Sequence, residues 1–472
     1  MKRGSRRWHA ICCYSGQMKK FVSALALVSG ILTYPANSFT QPRPQPASNQ
    51  ISQHMPGMAE AKPQPAMGGF LLSGVPMTRE GSGTSWLPDS SPMPAFHLAP
   101  GTWQIMVHGS AFIRFTSQDI GNAGVRGDSK LDGPSMIMFS AGRPVGATGR
   151  FMFRTMVSLD PFVEGGAGYP LLFQSGETWQ GAELVDRQHP HDLFGELAVS
   201  YSRTIGKEAE AFLYAGYPGE PALGPPAFLH RASAANDPDA PLGHHWQDST
   251  HIAFGVITAG ARIGDVKFDG SFFTGREPNE ERYGFDRPHL DSWSGRLSWN
   301  PDANWSLQVS HGLLRGPEAV APDIDVRRTT ASGTRNVPLG NGKNLASSLV
   351  WGWNRDSEDR NTHAFLLESN LDWGRQAVYG RFEVVQKTGH DLGIEPLEDR
   401  AFWINALTLG TARNLSPLDA LGLHLGGQIT VSAVPRALHF EYGRWPVSIS
   451  VYLRFSPGRM ATSMEHTGHA GH

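Results

Sequence analysis

The chain is predicted to be all-β: a transmembrane, antiparallel, up-and-down β-barrel of about 16 strands, within a range of about 14 to 18. Three observations point there. From Trp103 onward, segments of roughly ten residues alternate apolar with polar or small side chains, the period of strands whose two faces meet different media. The connections between these segments alternate short and long, as outer-membrane barrels alternate periplasmic turns with longer extracellular loops. No later segment is apolar enough for a spanning helix, while Trp103, Trp299, Trp305, Trp351, Trp353, Trp373 and Trp445 recur near segment ends, where interfacial girdles form.

Residues 1–38 read as an export signal. From Met18, a candidate true start, two lysines precede the apolar run Phe21 to Leu32, and Ala36 and Ser38 suit cleavage after Ser38. Both cysteines, Cys12 and Cys13, lie upstream of that cleavage, so the mature chain is expected without a disulfide framework. Residues 39–100 are rich in Pro, Gln, Ser, Met and Gly with no apolar period, which predicts a disordered, flexible periplasmic arm. The barrel is assigned to 101–456 and a His/Met-rich periplasmic tail to 457–472.

Within the barrel, strands are expected at 103–116, 134–143, 149–160, 193–204, 209–217, 251–263, 265–275 and 290–299. They continue at 304–315, 325–337, 344–354, 362–372, 376–387, 400–412, 421–433 and 445–455. The last is the clearest: Val447, Ile449, Val451, Leu453 and Phe455 fall on one face, and Ser448, Ser450, Tyr452 and Arg454 on the other. Short turns near 143, 206, 264, 300–303, 339–343, 374 and 414–420 carry Asn-Gly, Gly-Asp or Asn-Pro-Asp signals. The longest connections are 161–192 and 218–250. A sheet in lipid must close, since an open edge leaves backbone groups unpaired. An even strand number then returns both termini to the periplasm. Outer-membrane lipid is the expected surrounding. With a formal charge of -2 and no basic stripe, nothing proposes a nucleic-acid partner.

Chemistry-bearing residues gather in the two long loops. DRQHPHD, Asp186 to Asp192, closes the first and leads into a strand; GHHWQDSTH closes the second. The two loops follow one another on one side of the barrel and could face each other. His189, His191, His244, His245 and Asp248 are therefore candidate ligands for a divalent metal, since imidazoles with a carboxylate suit Zn(II), Cu(II) or Ni(II). The same residues equally suit a folded loop whose side chains hydrogen-bond to each other. His108 and Ser110 share a face, as a nucleophile and base would, but that face points to the lumen and has no orienting carboxylate, so no enzyme activity is expected. At the C-terminus, His466, His469 and His472 with Met460 and Met464 form a second candidate metal-binding set, and His54, Met55, Met58 and Met67 a sparser one in the arm.

SGTSWLPDSSPM, GYPLLFQSGE, LVDRQHPHDLF, GEPALGPPAFLHR, PLGHHWQDSTHI and GREPNEERYGFD span much of residues 82 to 286. These stretches resemble a family of uncharacterised bacterial outer-membrane barrels that accompany heavy-metal efflux or copper-resistance systems. The chain is also similar in plan to copper-resistance B proteins, which join a Met- and His-rich arm to a barrel; here the arm is sparser. The resemblance implies non-catalytic handling of copper or another divalent transition metal, with periplasmic metal-handling proteins as partners. A general porin or small-solute channel with incidental histidine loops is the competing expectation, and an outer-membrane hydrolase the third.

Overall fold

The computed structural model describes residues 68–416 and 421–458. Sixteen antiparallel strands close into a barrel. They are Gln104–Ser117, Ser135–Val145, Gly149–Val157, Phe194–Ile205, Ala209–Gly216, Val256–Ile263, Val266–Phe273, Ser292–Trp299, Trp305–Leu314, Val326–Gly340, Lys343–Asp356, Asn361–Trp373, Gln376–Thr388, Ala401–Asn414, Leu421–Ala433 and Val447–Pro457. Each pairs with its sequence neighbours. The first and last seal the sheet in register from Ala111↔Phe455 to Ser117↔Ile449. Each strand expected from the sequence is present, with ends moved by a few residues. The largest shift is at 251–263, where Ser249–His251 turn as a 3-10 helix and the strand starts at Val256. Two short strands, Ala95–Leu98 and Ser129–Asp132, add to the ends of Gln104–Ser117.

Polarity is inverted relative to a water-soluble core. Outward positions such as Ile113, Phe115, Leu197, Leu213, Phe268, Leu297, Leu407 and Val451 are exposed, whereas Arg114, Lys267, Asp269, Arg296 and Glu368 are buried in the lumen. That arrangement suits a barrel in hydrocarbon, where the outer face meets lipid and backbone groups are satisfied strand to strand. Exposed Trp299 and Trp373 lie at the short-turn rim, and Trp293 and Trp445 near the opposite rim, as girdles require. Both ends of the barrel sequence lie at the short-turn rim, since Gln104 pairs with Gly142 and Pro457 with Leu421.

The lumen is filled from both ends. Residues 68–94, assigned from composition to a flexible arm, instead fold into the half nearer the short turns. Phe70, Leu71, Leu72, Val75 and Trp86 are buried there with Phe212 and Tyr214 of the wall. The correction has a physical cause: this stretch lacks an apolar period because the wall satisfies it. Glu80 accepts from the backbone N–H groups of Phe70, Leu71 and Leu72, Arg79 pairs with Asp89 and Asp265, and Thr84 donates to Asp269 at 2.6 Å. The signal and residues 39–67 of the arm, together with the tail beyond 458, lie outside the described residues.

The other half is occupied by the two long connections. The first carries a hairpin, Tyr169–Trp179 with Ala182–Gln188, and the second the short helix His244–Gln247. Tyr169, Leu172, Phe173, Phe228 and Trp246 pack there with Phe402, Ile404, Leu438 and Tyr442. Each half of the lumen thus has its own apolar core.

Candidate functional site

The wall fixes both histidine loops. Arg231 of the second loop donates to Asp248 and to wall residue Glu368, each at 2.7 Å, and is fully buried. Glu383 accepts from the N–H of Leu242 at 2.6 Å, and Arg328 and Asn354 donate to the His245 carbonyl. In the first loop the hairpin holds Phe173, Glu177, Gln180 and Asp186 at φ of 68°, 58°, 57° and 55°. Left-handed backbone at such residues costs on the order of 1–3 kcal/mol each, and it persists only where surroundings impose it. Here it turns Glu177 toward His189 and lets Asp186 accept from the Phe173 N–H at 2.7 Å. At Gly176, φ is +111° and a Cβ would come within 2.4 Å of the His245 ring, so only glycine lets hairpin and imidazole meet.

Between these loops five imidazoles form a closed ring. Ring centres are 5.2 Å apart for His191 and His251, 5.1 Å for His251 and His244, and 5.3 Å for His244 and His245. His189 completes it, 5.7 Å from His245 and 6.2 Å from His191. Imidazoles bound to one ion at about 2 Å have ring centres about 5 Å apart at a tetrahedral angle. Three neighbouring pairs come near that spacing, and His189 stands slightly farther out. Among the described residues, however, no three of these imidazoles bring their donor nitrogens within 4.8 Å of one another, so the ring would have to tighten around an ion.

The second feature is the way each ring is held. His191 Nδ1 lies 2.7 Å from Asp160 Oδ2, and His244 Nδ1 2.7 Å from Asp248 Oδ1. His245 Nδ1 lies 3.0 Å from Glu277 Oε1, His189 Nδ1 3.0 Å from Glu177 Oε1, and His251 Nδ1 2.9 Å from the Asp248 carbonyl. On the opposite edge, all five Nε2 atoms are buried without a hydrogen-bond partner. An acceptor at Nδ1 fixes the proton there and leaves the Nε2 lone pair bare, which is how metal-binding histidines are oriented. Burial also favours the uncharged ring. It holds His189 and His251 well below the usual imidazole range, and His245 down to about 3 with Lys387 and Arg328 adding to the effect. His191 is the exception: burial lowers it most strongly of any single cause, but Asp160, with Glu177 and Asp192, together outweigh burial and raise it.

The sequence candidates His189, His191, His244 and His245 therefore meet at one place. Asp248 lies beside them: one of its oxygens accepts from His244 and the other from Arg231, so its carboxylate orients a ring. His466, His469 and His472 lie outside the described residues. Sequence reasoning left out His251, the fifth imidazole, and missed the groups Asp160, Glu177 and Glu277 that hold the rings. His251 was visible in the same GHHWQDSTH run; the carboxylates have no local signature, since they reach the rings from 31 residues away for Asp160 and 32 for Glu277.

Deeper in the lumen, His108 Nε2 lies 3.2 Å from Met138 Sδ and its ring 5.6 Å from that of His230. Met106, Met136 and Met93 line the same cavity. His108 thus faces thioethers and a second imidazole. At the loop-side mouth, donor atoms of Glu183, His390 and Asp391 lie within 4.8 Å of one another.

No family model matches the chain, and no curated protein does. Among solved structures, it is similar to Salmonella typhi OmpF in complex with daunomycin, at 8% identity and a TM-score of 0.47, over 76% of this chain and 100% of that one. It is also similar to the anion-selective porin from Comamonas acidovorans, at 13% identity and a TM-score of 0.43, over 75% of this chain and 99% of that one. A loop-deletion mutant of OmpT, an outer membrane protein of Vibrio cholerae, aligns at 6% identity and a TM-score of 0.45, over 75% and 99% of the two chains.

Proposed function

We propose that the protein is an outer-membrane barrel that binds a transition-metal ion, copper or another divalent ion, between its two histidine loops, as a binder and not as an enzyme. The observation that carries this reading is the ring of five imidazoles, each held at Nδ1 and each with a buried, unpartnered Nε2. Leaving several such atoms unpaired is costly, on the order of 1–3 kcal/mol apiece, and a bound ion would repay it at once. Neutral imidazole suits Cu(II), Zn(II) and Ni(II), and the thioether of Met138 beside His108 is a soft donor that favours copper farther along the lumen. The apolar outer face supports a position in outer-membrane lipid, and both barrel ends at one rim fit an expected periplasmic exit for the termini. Periplasmic metal-handling proteins would meet it on that side.

A general porin needs an open lumen, and the buried N-terminal segment and loops weigh against that reading. The test is metal titration of purified full-length protein with Cu(II) and Zn(II), alongside the His189→Ala/His244→Ala double variant. The parent is expected to bind one tight ion or more, and the variant to lose affinity by more than about 100-fold, beyond the loss of one outer hydrogen bond. Equal binding by both, or none above background, sinks the proposal. Large, copper-insensitive conductance in planar bilayers would support the porin instead.

A further inference from the structure

Glu183, His390 and Asp391 are a separate group from the five-imidazole ring and come from two loops. Glu183 sits on the hairpin strand Ala182–Gln188, while His390 and Asp391 follow the wall strand Gln376–Thr388. Their donor atoms lie within 4.8 Å of one another, and His390 Nδ1 is 3.6 Å from Glu183 Oε2. All three are half-buried. One Asp391 oxygen accepts from the Thr388 N–H at 2.6 Å, which fixes the carboxylate's direction. A carboxylate pair with one imidazole is a donor set for a borderline divalent cation.

A second observation ties this triad to a ligand. All three residues line a cavity of about 120 Å³ whose other lining residues include Glu277, Glu318 and His245. His245 is buried, and its Nε2 has no partner. The same cavity therefore touches the triad and one imidazole of the ring. Five acidic residues line it against two arginines, Arg328 and Arg360, a balance that favours cations.

We propose that Glu183, His390 and Asp391 form a second, weaker site for a divalent transition-metal cation, from which the ion passes along this cavity to His245 and the ring. The relay rests on the metal-binding reading above; the outer site itself does not. Held by three donors at the mouth, an ion is bound loosely enough to leave. The ring, with five imidazoles, retains it.

Full-length protein in detergent, with Cu(II) as the probe, tests both parts. Electron paramagnetic resonance separates an oxygen-rich site from a nitrogen-rich one, and stopped-flow fluorescence quenching gives the uptake rate. In Glu183→Gln/Asp391→Asn, the nitrogen-rich signal should keep its equilibrium occupancy while uptake slows about 10-fold, the lower end of electrostatic steering effects. In His244→Ala, the nitrogen-rich signal should fall and the weaker, oxygen-rich ion remain. Uptake at the parent rate in the first variant overturns the relay, and absence of the oxygen-rich ion in the second overturns the outer site. If the parent shows only the oxygen-rich ion, the ring reading and the relay fail while the outer site stands. Retention of the barrel's heat-dependent gel mobility shows that each variant is folded.

Discussion

The two halves of the lumen are both full, yet they are filled by different chemistry. In the short-turn half, charges meet their opposites: Lys267 and Arg296 share Asp269, Arg154 grips Glu196, and the N-terminal segment adds Thr84 and Arg79 to the network. In the loop half, the charged residues lie behind the imidazoles, and the edges that face inward carry bare nitrogen atoms. Buried ion pairs of the first kind fix a segment in place, because separating either partner exposes an uncompensated charge. The second arrangement spends its ion pairs on aiming neutral donors. A half built only for closure would have no reason to leave five buried nitrogens of one type without partners on neighbouring rings.

The comparison breaks most severely at Arg231, which joins the two kinds of chemistry. It bridges wall residue Glu368 and Asp248, and Asp248 in turn holds His244. Replacing it with methionine roughly keeps the volume and leaves buried Asp248 without its cation, while Glu368 keeps only Arg381. The expected cost is about 3–5 kcal/mol of stability, read as a lower urea midpoint of the folded barrel, together with weaker metal binding. If Arg231→Met unfolds at the parent midpoint and binds Cu(II) unchanged, Arg231 does not hold the second loop in place.

How much of this was legible in the sequence follows the range of the forces involved. Strands from Gln104 to Pro457 could be read because alternation is local: each residue's partner medium is set by its parity, as in Val447 to Phe455. Loop parity then put His189 and His245 at one rim. The fate of residues 68–94 could not be read, because Phe70 and Trp86 find their neighbours on strands more than 100 residues away, such as Phe212 and Tyr214. For the same reason the partners of Asp248 could not be read from spacing. Its partner Arg231 was in plain view, 17 residues upstream, but nothing in spacing says which side of a carboxylate faces a centre.

A milder change sharpens the contrast from the loop side. Asp160 accepts from His191 Nδ1 through one oxygen and from the Ser135 N–H through the other. Asp160→Asn preserves shape but removes the negative charge that fixes the ring's tautomer. Metal affinity is expected to fall by about 10- to 100-fold, the usual effect of losing an outer-shell carboxylate, with a stability change of about 1 kcal/mol in the ion-free barrel. Isothermal titration beside urea unfolding separates the two. A variant that loses stability but keeps its affinity would make Asp160 a loop strut and no more.

The smallest expected effect lies in the opposite half and should leave metal untouched. Thr84 donates to Asp269 at 2.6 Å and accepts from Arg296 at 2.8 Å, so its hydroxyl ties the N-terminal segment into an ion pair that the wall already completes. Thr84→Val removes the hydroxyl at nearly constant volume, while Asp269 keeps both Arg296 and Lys267. The loss is then one charge-assisted hydrogen bond at each side of the oxygen, roughly 1–2 kcal/mol in sum because the ions re-pair with each other. Copper affinity and the uptake rate should match the parent. A metal phenotype in Thr84→Val would mean that the N-terminal segment sets the position of the histidine loops, and that the two halves of the lumen act as one element.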